Sequence, residues 1–202
     1  MKLYNAGAPN PRRVRIFLAE KGIEVPLVNV DIQGGASRTP EFLKLNSLGE
    51  TPVLELDDGR IITESVAICR YFEAIHPQPA LFGGDAVEQA QVEMWNRRME
   101  IQLMGTVGDV ARHTFEFFAS RIRQLPDYAA AQRAAVPQKW AWLDTELADG
   151  RPFVAGKRFS VADITGMTAL LIGDFLEIPV PADLQNVGRW AAAVRGRPSW
   201  DA

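Results

Sequence analysis

The sequence predicts an α/β N-terminal domain with the element order β-α-β-α-β-β-α, followed by an all-α C-terminal domain. Strand and helix signals alternate over the first 76 residues. A connector rich in Pro and Gly, HPQPALFGGD, follows at residues 76–85, and only helical patterns come after it. We therefore expect an α/β domain at residues 1–76, a linker at 77–86 and a helical domain at 87–202.

Each N-terminal element has a local signal. The run KLY predicts a strand, RRVRIFLAEKG predicts a helix ending at Gly22, and the β-branched EVPLVNVDI predicts a second strand. A short helix begins at Thr39 as N-cap with Pro40 in its first turn. The DDG turn at 57–59 divides two apolar runs into a hairpin, and ESVAICRYFEAIH predicts the last helix. The first strands suit a parallel βαβ unit to which the hairpin adds an antiparallel edge.

The C-terminal half shows longer helical patterns. The first helix begins near Ala86 and is expected to bend near Gly105 and Gly108. The next contains Pro137, which predicts a kink. Ser160 and Asp163 have the spacing of a capping box at the start of a strongly apolar helix. DLQNVGRWAAAVRGRP predicts the last helix.

Composition limits the possible functions. The net charge of −3 and pI of about 5.5 provide no broad basic surface for nucleic acid or anionic membranes. The single cysteine, Cys69, excludes an intrachain disulfide and a multi-cysteine zinc site, and without a C-x-x-C motif we expect a buried, inert thiol. We recognise neither a signal peptide nor a membrane span, so we expect a cytoplasmic protein.

Two short stretches suggest a ligand site. A cis Thr51–Pro52 bond would present the Thr51 backbone to an extended, peptide-like ligand, whereas a trans proline would simply begin a strand. Glu64 and Ser65 begin a helix, whose free N–H groups and hydroxyl could bind a carboxylate while Glu64 holds an ammonium. The alternative is an ordinary helix cap. Taken alone, each pattern favours the plainer interpretation.

The motifs together resemble the cytosolic glutathione S-transferase family. PNPRRVRIFLAEKG, SRTPEFLKLN and SLGETPVLELDDGRIITESVAICRYFEAIHP resemble its thioredoxin-like half, and FVAGKRFSVADITGMTAL resembles its helical half. The first helix is most similar to that of bacterial members. The resemblance implies a cytoplasmic, homodimeric detoxification enzyme with glutathione as co-substrate, a hydrophobic electrophile as second substrate, and no metal, nucleic-acid or membrane partner.

The resemblance also implies which residues bind glutathione. Thr51 and Pro52 would meet its cysteinyl unit, and Glu64 and Ser65 its γ-glutamyl end. The family binds the glycine carboxylate with Lys, His or Gln at positions matching Ser37 and Glu50, and Glu50 is an acid. Arg38 or Lys44 could take that role. The implied glutathione-binding set is Thr51, Pro52, Glu64, Ser65, Glu50, Arg38 and Lys44.

The thiol-binding turn departs from the family pattern. Ala8 occupies the position where relatives commonly carry Ser, so the catalytic role falls to the Asn10 side-chain amide, which can donate a hydrogen bond to sulfur. Backbone N–H groups at the start of the first helix, and the charges of Arg12 and Arg13, could assist. The alternative for both arginines is a solvated helix face. Tyr4 is a rival sulfur ligand in the preceding strand.

The resemblance places the second-substrate pocket against the long helix. Met104, Gly108, Arg112, His113 and Phe117 lie there at helical spacing. His113 could act as a general acid or base, although a solvated or merely hydrogen-bonded histidine is the simpler interpretation. An apolar stripe is likewise more often core than pocket.

Two other functions remain open on this fold. A glutathione-dependent isomerase would need cationic residues for a dicarboxylate, and Arg12, Arg13 and Arg112 are the candidates. A non-catalytic ligand-binding protein would explain Ala8 and Glu50. Fold alone does not decide among these possibilities.

Overall fold

The computed structural model describes all residues from Met1 to Ala202 and divides them into two compact units. The N-terminal unit contains Met1–Ala80 together with Asp201–Ala202, and the helical unit contains Leu81–Trp200.

The N-terminal unit has the predicted order of strands and helices. Its elements are β1 (Lys2–Asn5), α1 (Pro9–Lys21), β2 (Leu27–Asn29), α2 (Pro40–Leu45), β3 (Val53–Glu55), β4 (Ile61–Thr63) and α3 (Ser65–Ile75), with a 3₁₀ turn at Ala36–Arg38. The sheet order is β2-β1-β3-β4. β1 and β2 are parallel, and the other pairs are antiparallel. The predicted βαβ unit with an antiparallel hairpin edge is therefore confirmed.

The register of the sheet determines which loops meet. Tyr4 lies opposite Val53, and Val53 lies opposite Thr63. Because β1 and β4 run antiparallel to β3, the residues after β1, before β3 and after β4 leave the sheet at the same end. The side chains of Leu3 on β1, Leu54 on β3 and Phe72 on α3 are almost completely buried in the core of this unit.

The helical unit is built around one almost fully buried helix. Its elements are α4 (Ala86–Arg98), a π-helical segment (Met99–Met104), α5 (Gly105–Thr114), α6 (Glu116–Ala119), α7 (Pro126–Glu146), α8 (Val161–Phe175) and α9 (Gln185–Arg195). A 3₁₀ turn at Pro198–Asp201 follows, and its last residue belongs to the N-terminal unit. α8 is the buried helix. A Cβ at Gly166 would lie 2.6 Å from the Trp190 ring, so glycine is needed for this packing.

The capping box at the start of α8 is confirmed. Asp163 is completely buried, and its carboxylate accepts hydrogen bonds from the N–H of Val154 (2.9 Å), the N–H and Oγ of Ser160 (3.0 Å each) and Nε1 of Trp190 (3.0 Å). Burial raises the pKa of Asp163 to about 6 despite these donors.

The helical unit has two local irregularities. A six-residue π-helical segment, Met99–Met104, joins α4 to α5 just before the bend expected near Gly105 and Gly108. α7 continues as one helix through Pro137, and the kink expected there stays a prediction. Pro137 is exposed, so water can hydrate the carbonyl that loses its helical partner. No helix combines the length and apolar character that crossing a membrane would require.

Candidate functional site

The end of the sheet described above brings three predicted binding stretches together. The turn at residues 6–10 follows β1, Thr51–Pro52 precedes β3, and Glu64–Ser65 follows β4. Sequence positions some fifty residues apart thereby become neighbours within the N-terminal unit. The candidate site is this cluster of one turn and two strand ends.

The start of α1 offers very few hydrogen-bond donors. Pro9 and Pro11 have no N–H, and the N–H of Arg12 already donates to the Ala8 carbonyl at 3.1 Å. Ala8 provides no side-chain cap. The expected group of backbone donors is therefore reduced to the N–H of Asn10. The Asn10 Oδ1 is shielded from solvent without a hydrogen-bond partner, which leaves the amide NH₂ as the end that can donate to a ligand.

Arg15 anchors the beginning of this turn. Its guanidinium donates to the Asn5 side chain and, at 3.4 Å, to the Ala6 carbonyl, and it also contacts the Ala202 carbonyl at 3.3 Å. Partial burial lowers the pKa of Arg15. The Asn5 amide donates in turn to the Asn29 side chain at 2.8 Å. These bonds tie the turn to α1 and to β2.

The Thr51–Pro52 peptide bond is cis, so the trans interpretation is wrong. Pro52 is buried, and the N–H and C=O of Thr51 make no hydrogen bond to another backbone group. Unpaired backbone groups beside a sheet are suited to an extended peptide-like ligand.

The start of α3 is richer in donors than the start of α1. Glu64 is the N-cap, is exposed, has a φ of 65° and makes no side-chain cap. Its carbonyl accepts from the N–H of Ile68 at 2.9 Å, whereas the N–H groups of Ser65, Val66 and Ala67 have no backbone acceptor. Three adjacent donors at a helix N-terminus are an arrangement that can bind an anion.

Arg13 is buried, so its interpretation as part of a solvated face is wrong. The Arg13 side chain reaches from α1 to α3, where Nη1 donates to Ser65 Oγ at 2.9 Å, and only 2% of its surface is exposed. Arg12 is more exposed and lies 4.0 Å from Asp201. No sequence signal distinguishes these two adjacent arginines, apart from helical periodicity placing Arg13 beside the apolar Phe17.

The residues expected to bind the glycine carboxylate lie between β2 and β3. Arg38 is in the 3₁₀ turn, Lys44 is on α2, and Glu50 directly precedes Thr51. Arg38, Lys44 and Glu50 are all exposed. Arg38 Nη1 donates to the Leu48 carbonyl at 2.9 Å, which fixes one end of that guanidinium. Ser37 is completely buried and is unable to meet a ligand from solvent.

Of the two other residues considered for thiol chemistry, Tyr4 is hydrogen-bonded to a neighbouring side chain and Cys69 is buried. The Tyr4 hydroxyl donates to Glu55 at 2.8 Å, and this bond lowers the pKa of Glu55. Cys69 is completely buried, and burial raises the pKa of its thiol to about 12. A protonated and inaccessible thiol suits the expectation of an inert residue.

The second-substrate candidates belong to the helical unit and do not all converge. Met104 ends the π-helical segment, and Gly108, Arg112 and His113 lie on α5. His113 alone among them lines a cavity of about 470 Å³, whose other walls are Thr114, Gln124, Pro126, Ala129, Ala130 and Arg133. Sequence analysis missed these residues because most come from α7 and the loop before it.

The hydrogen bonding of His113 fixes its tautomer. Its Nδ1 accepts the N–H of Leu125 at 3.1 Å, so in the neutral ring Nε2 carries the proton. The ring also meets the edge of Tyr128 at a centroid distance of 5.2 Å. His113 is therefore held as a donor through Nε2. No group of three His, Cys, Asp or Glu side chains is arranged to hold a metal ion.

Comparisons with known proteins agree over both units. The family model for "Glutathione S-transferase, N-terminal domain" matches residues 8–75, and that for "Glutathione S-transferase, C-terminal domain" matches residues 110–198. Glutathione S-transferase 2 of Saccharomyces cerevisiae is 35% identical over 98% of this chain and 87% of that protein.

A solved structure and a second curated protein are also similar. The crystal structure of a glutathione S-transferase domain-containing protein from Marinobacter aquaeolei is 39% identical, with a TM-score of 0.92, over 99% of this chain and 100% of that chain. Maleylacetoacetate isomerase of Pseudomonas aeruginosa is 39% identical, but only over 45% of this chain and 44% of that protein.

Proposed function

Because this chain belongs to the glutathione S-transferase family, we propose that it lowers the pKa of the glutathione thiol and directs the thiolate to a hydrophobic electrophile. Glutathione is the co-substrate. The observation that carries the assignment of the site is the sheet register, which gathers Asn10, Thr51–Pro52 and Glu64–Ser65 at one end of the N-terminal unit.

In this proposal each part of glutathione meets a chemically matched group. The γ-glutamyl carboxylate binds the free N–H groups at the start of α3 and the Ser65 hydroxyl, and its ammonium binds the Glu64 carboxylate. The cysteinyl N–H and C=O pair with the unpaired backbone of Thr51 beside cis-Pro52. The ligand is then extended across the end of the sheet.

The glycine carboxylate is proposed to bind a cation near the Glu50 loop. Arg38 and Lys44 are exposed, whereas the Glu50 carboxylate would repel an anion. The Arg38 guanidinium is held at Leu48 and offers its remaining N–H groups in a fixed geometry. Arg38 is therefore the stronger candidate, with Lys44 as the alternative.

Thiol activation is assigned to Asn10. A free thiol with a pKa of about 8.5 must lose roughly 2 pKa units to be mostly thiolate at neutral pH, which requires about 2.7 kcal/mol of preferential stabilisation. A hydrogen bond to a charged acceptor contributes about 1.5–3 kcal/mol. The Asn10 amide together with its own N–H can supply this amount without the hydroxyl that Ala8 lacks.

The electrophile is proposed to bind along the helices of the second unit. Met104, Gly108, Arg112 and His113 are the candidate lining residues, and His113 would donate through Nε2 to a developing negative charge. Pro126, Ala129 and Ala130 give the His113 cavity an apolar wall, which supports a hydrophobic ligand.

We propose that the protein is a cytoplasmic homodimer of bacterial origin. Val87, Met94 and Ile101 are exposed at seven-residue intervals along α4 and the π-helical segment. Apolar side chains at this spacing form one stripe on a helix, which supports contact with a second copy of the chain. Met94→Asp should convert the dimer into monomers in light scattering. Similarity to the Marinobacter aquaeolei protein supports the origin.

A glutathione-dependent isomerase is the second candidate function, because the Pseudomonas aeruginosa isomerase matches part of the chain. That reaction would involve an anionic substrate, for which the exposed Arg112 is a candidate ligand. Arg112→Ala should then reduce turnover of dicarboxylates alone. The transferase is preferred because its matches extend over both units.

The deciding experiment is turnover of glutathione with an aryl halide. The thiolate forms a carbon–sulfur bond and halide leaves, so the product absorbance and released halide should appear together. We expect turnover in the wild type and a strong decrease in Asn10→Ala. Glutathione binding without turnover of any electrophile would instead indicate a non-catalytic binding protein.

A further inference from the structure

We propose that Arg13 is a positioning residue for glutathione, acting through Ser65 on the γ-glutamyl carboxylate. It would orient the Ser65 hydroxyl toward the ligand and place a buried positive charge behind the N-terminus of α3. The inference rests on the proposed function, because it assumes that the α3 N-terminus binds that carboxylate.

The hydrogen bond between Arg13 and Ser65 defines the direction of the hydroxyl proton. Arg13 Nη1 lies 2.9 Å from Ser65 Oγ, and both residues are buried. A guanidinium can only donate, so Oγ must be the acceptor in this bond. The hydroxyl proton of Ser65 therefore points away from Arg13 and is available to a second acceptor. A ligand carboxylate at the start of α3 is such an acceptor.

The charge of Arg13 acts on α3 itself. Only 2% of the Arg13 surface is exposed, so solvent screens its field weakly. Its positive charge opposes the burial-driven rise in the pKa of Cys69, one turn further along α3. The same charge lies behind the free N–H groups of Ser65, Val66 and Ala67, where it adds to the helix dipole in favouring an anion.

Arg13 also links α1, which follows the thiol-binding turn, to the start of α3. It lies three residues after Asn10 on α1, and it contacts the first residue of α3. α1 packs against α3 within the N-terminal unit. The Arg13–Ser65 hydrogen bond is thus one of the contacts that hold the start of α3 against α1. Loss of Arg13 should weaken recognition of the carboxylate specifically.

The test compares two ligands on the same proteins. Calorimetric titrations would use glutathione and γ-aminobutyryl-cysteinyl-glycine, an analogue that lacks only the γ-glutamyl carboxylate. We expect Arg13→Met to lose about tenfold in affinity for glutathione, the effect of one hydrogen bond to a charged group, with little change for the analogue. Arg13→Lys, which keeps the charge, should recover part of the loss. Arg60→Met removes an exposed charge from the same unit and is the matched control.

The outcomes separate this inference from the proposed function. If the wild type fails to bind glutathione, the proposed function is wrong. If the wild type binds but Arg13→Met weakens both ligands equally, Arg13 is merely structural and the inference is overturned. If Arg13→Met does not fold, Ser65→Ala provides the same comparison, because it removes the group through which Arg13 acts. An unchanged preference for glutathione in Ser65→Ala would also overturn the inference.

Discussion

Replacing Asn10 with alanine isolates the group to which thiol activation is assigned. The Asn10 side chain is the sole amide in the turn that follows β1, and Pro9 and Pro11 deprive this helix start of two backbone donors. The substitution removes the side-chain NH₂ but keeps the backbone N–H of residue 10. Any hydrogen bond from the backbone N–H to the sulfur is therefore the same in both proteins, and the comparison measures the side-chain hydrogen bond alone.

The expected magnitude follows from that single hydrogen bond. A bond to a charged acceptor contributes about 1.5–3 kcal/mol, and one pKa unit corresponds to about 1.36 kcal/mol, so the pKa of the bound thiol should rise by roughly 1–2 units in Asn10→Ala. At a pH below both pKa values, the thiolate fraction in Asn10→Ala, and with it kcat/KM, should be about 10- to 100-fold lower than in the wild type. At a pH above both pKa values most of the loss should disappear.

The assay is the pH dependence of kcat/KM with an aryl halide. Wild type and Asn10→Ala are compared with Asn186→Ala, which removes an asparagine on α9 that binds Asp144 in the helical unit. The control should reproduce the wild-type profile. If Asn10→Ala kept the wild-type inflection, or lost activity equally at every pH, the Asn10 amide would not be the group that stabilises the thiolate.

Four further predictions concern stability and reactivity. Ala8→Ser should raise the free energy of unfolding of the N-terminal unit by about 1 kcal/mol, measured by urea denaturation, because serine can cap the Asn10 N–H. Asp163→Ala should lower that of the helical unit by about 3 kcal/mol, because it leaves several buried donors unpaired, and a loss below about 1 kcal/mol would contradict this account. Lys21→Met should cost about 3–5 kcal/mol in the same assay, because the buried ammonium forms an ion pair with Glu73 and donates to the carbonyls of His76 and Pro79, all at 2.7 Å. Cys69 should resist a thiol reagent at pH 8 in the native protein and react in denaturant, whereas rapid native reaction would contradict its burial and a pKa of about 12.

The sequence predicts the fold well because its signals are local. The thioredoxin-like domain and the helical domain were both expected, and the element order, the hairpin and the capping box at Ser160 and Asp163 are confirmed. β2 is shorter than the run EVPLVNVDI suggests and spans only Leu27–Asn29, whose side chains are exposed. A β-branched run indicates a preference for strand conformation, but the number of residues that pair depends on the neighbouring strand.

The candidate site is harder to predict because it depends on contacts distant in sequence. Arg13 meets Ser65 across 52 residues, and apart from the helical spacing that places Arg13 beside Phe17, the adjacent pair of arginines gives no signal that one of them is buried. The loss of donors at the start of α1 follows from Pro9 and Pro11 in the sequence, but only once the helix start is known. His113 was identified from residue type, whereas its cavity is formed mainly by a later helix.

The most direct test of the central claim is the ultraviolet absorbance of the glutathione thiolate on the wild-type protein, followed against pH. The account predicts that the bound thiol titrates roughly 2 units below its free value of about 8.5, because Asn10 replaces the missing hydroxyl at Ala8. Glutathione that binds and titrates near its free value would contradict thiol activation by this site.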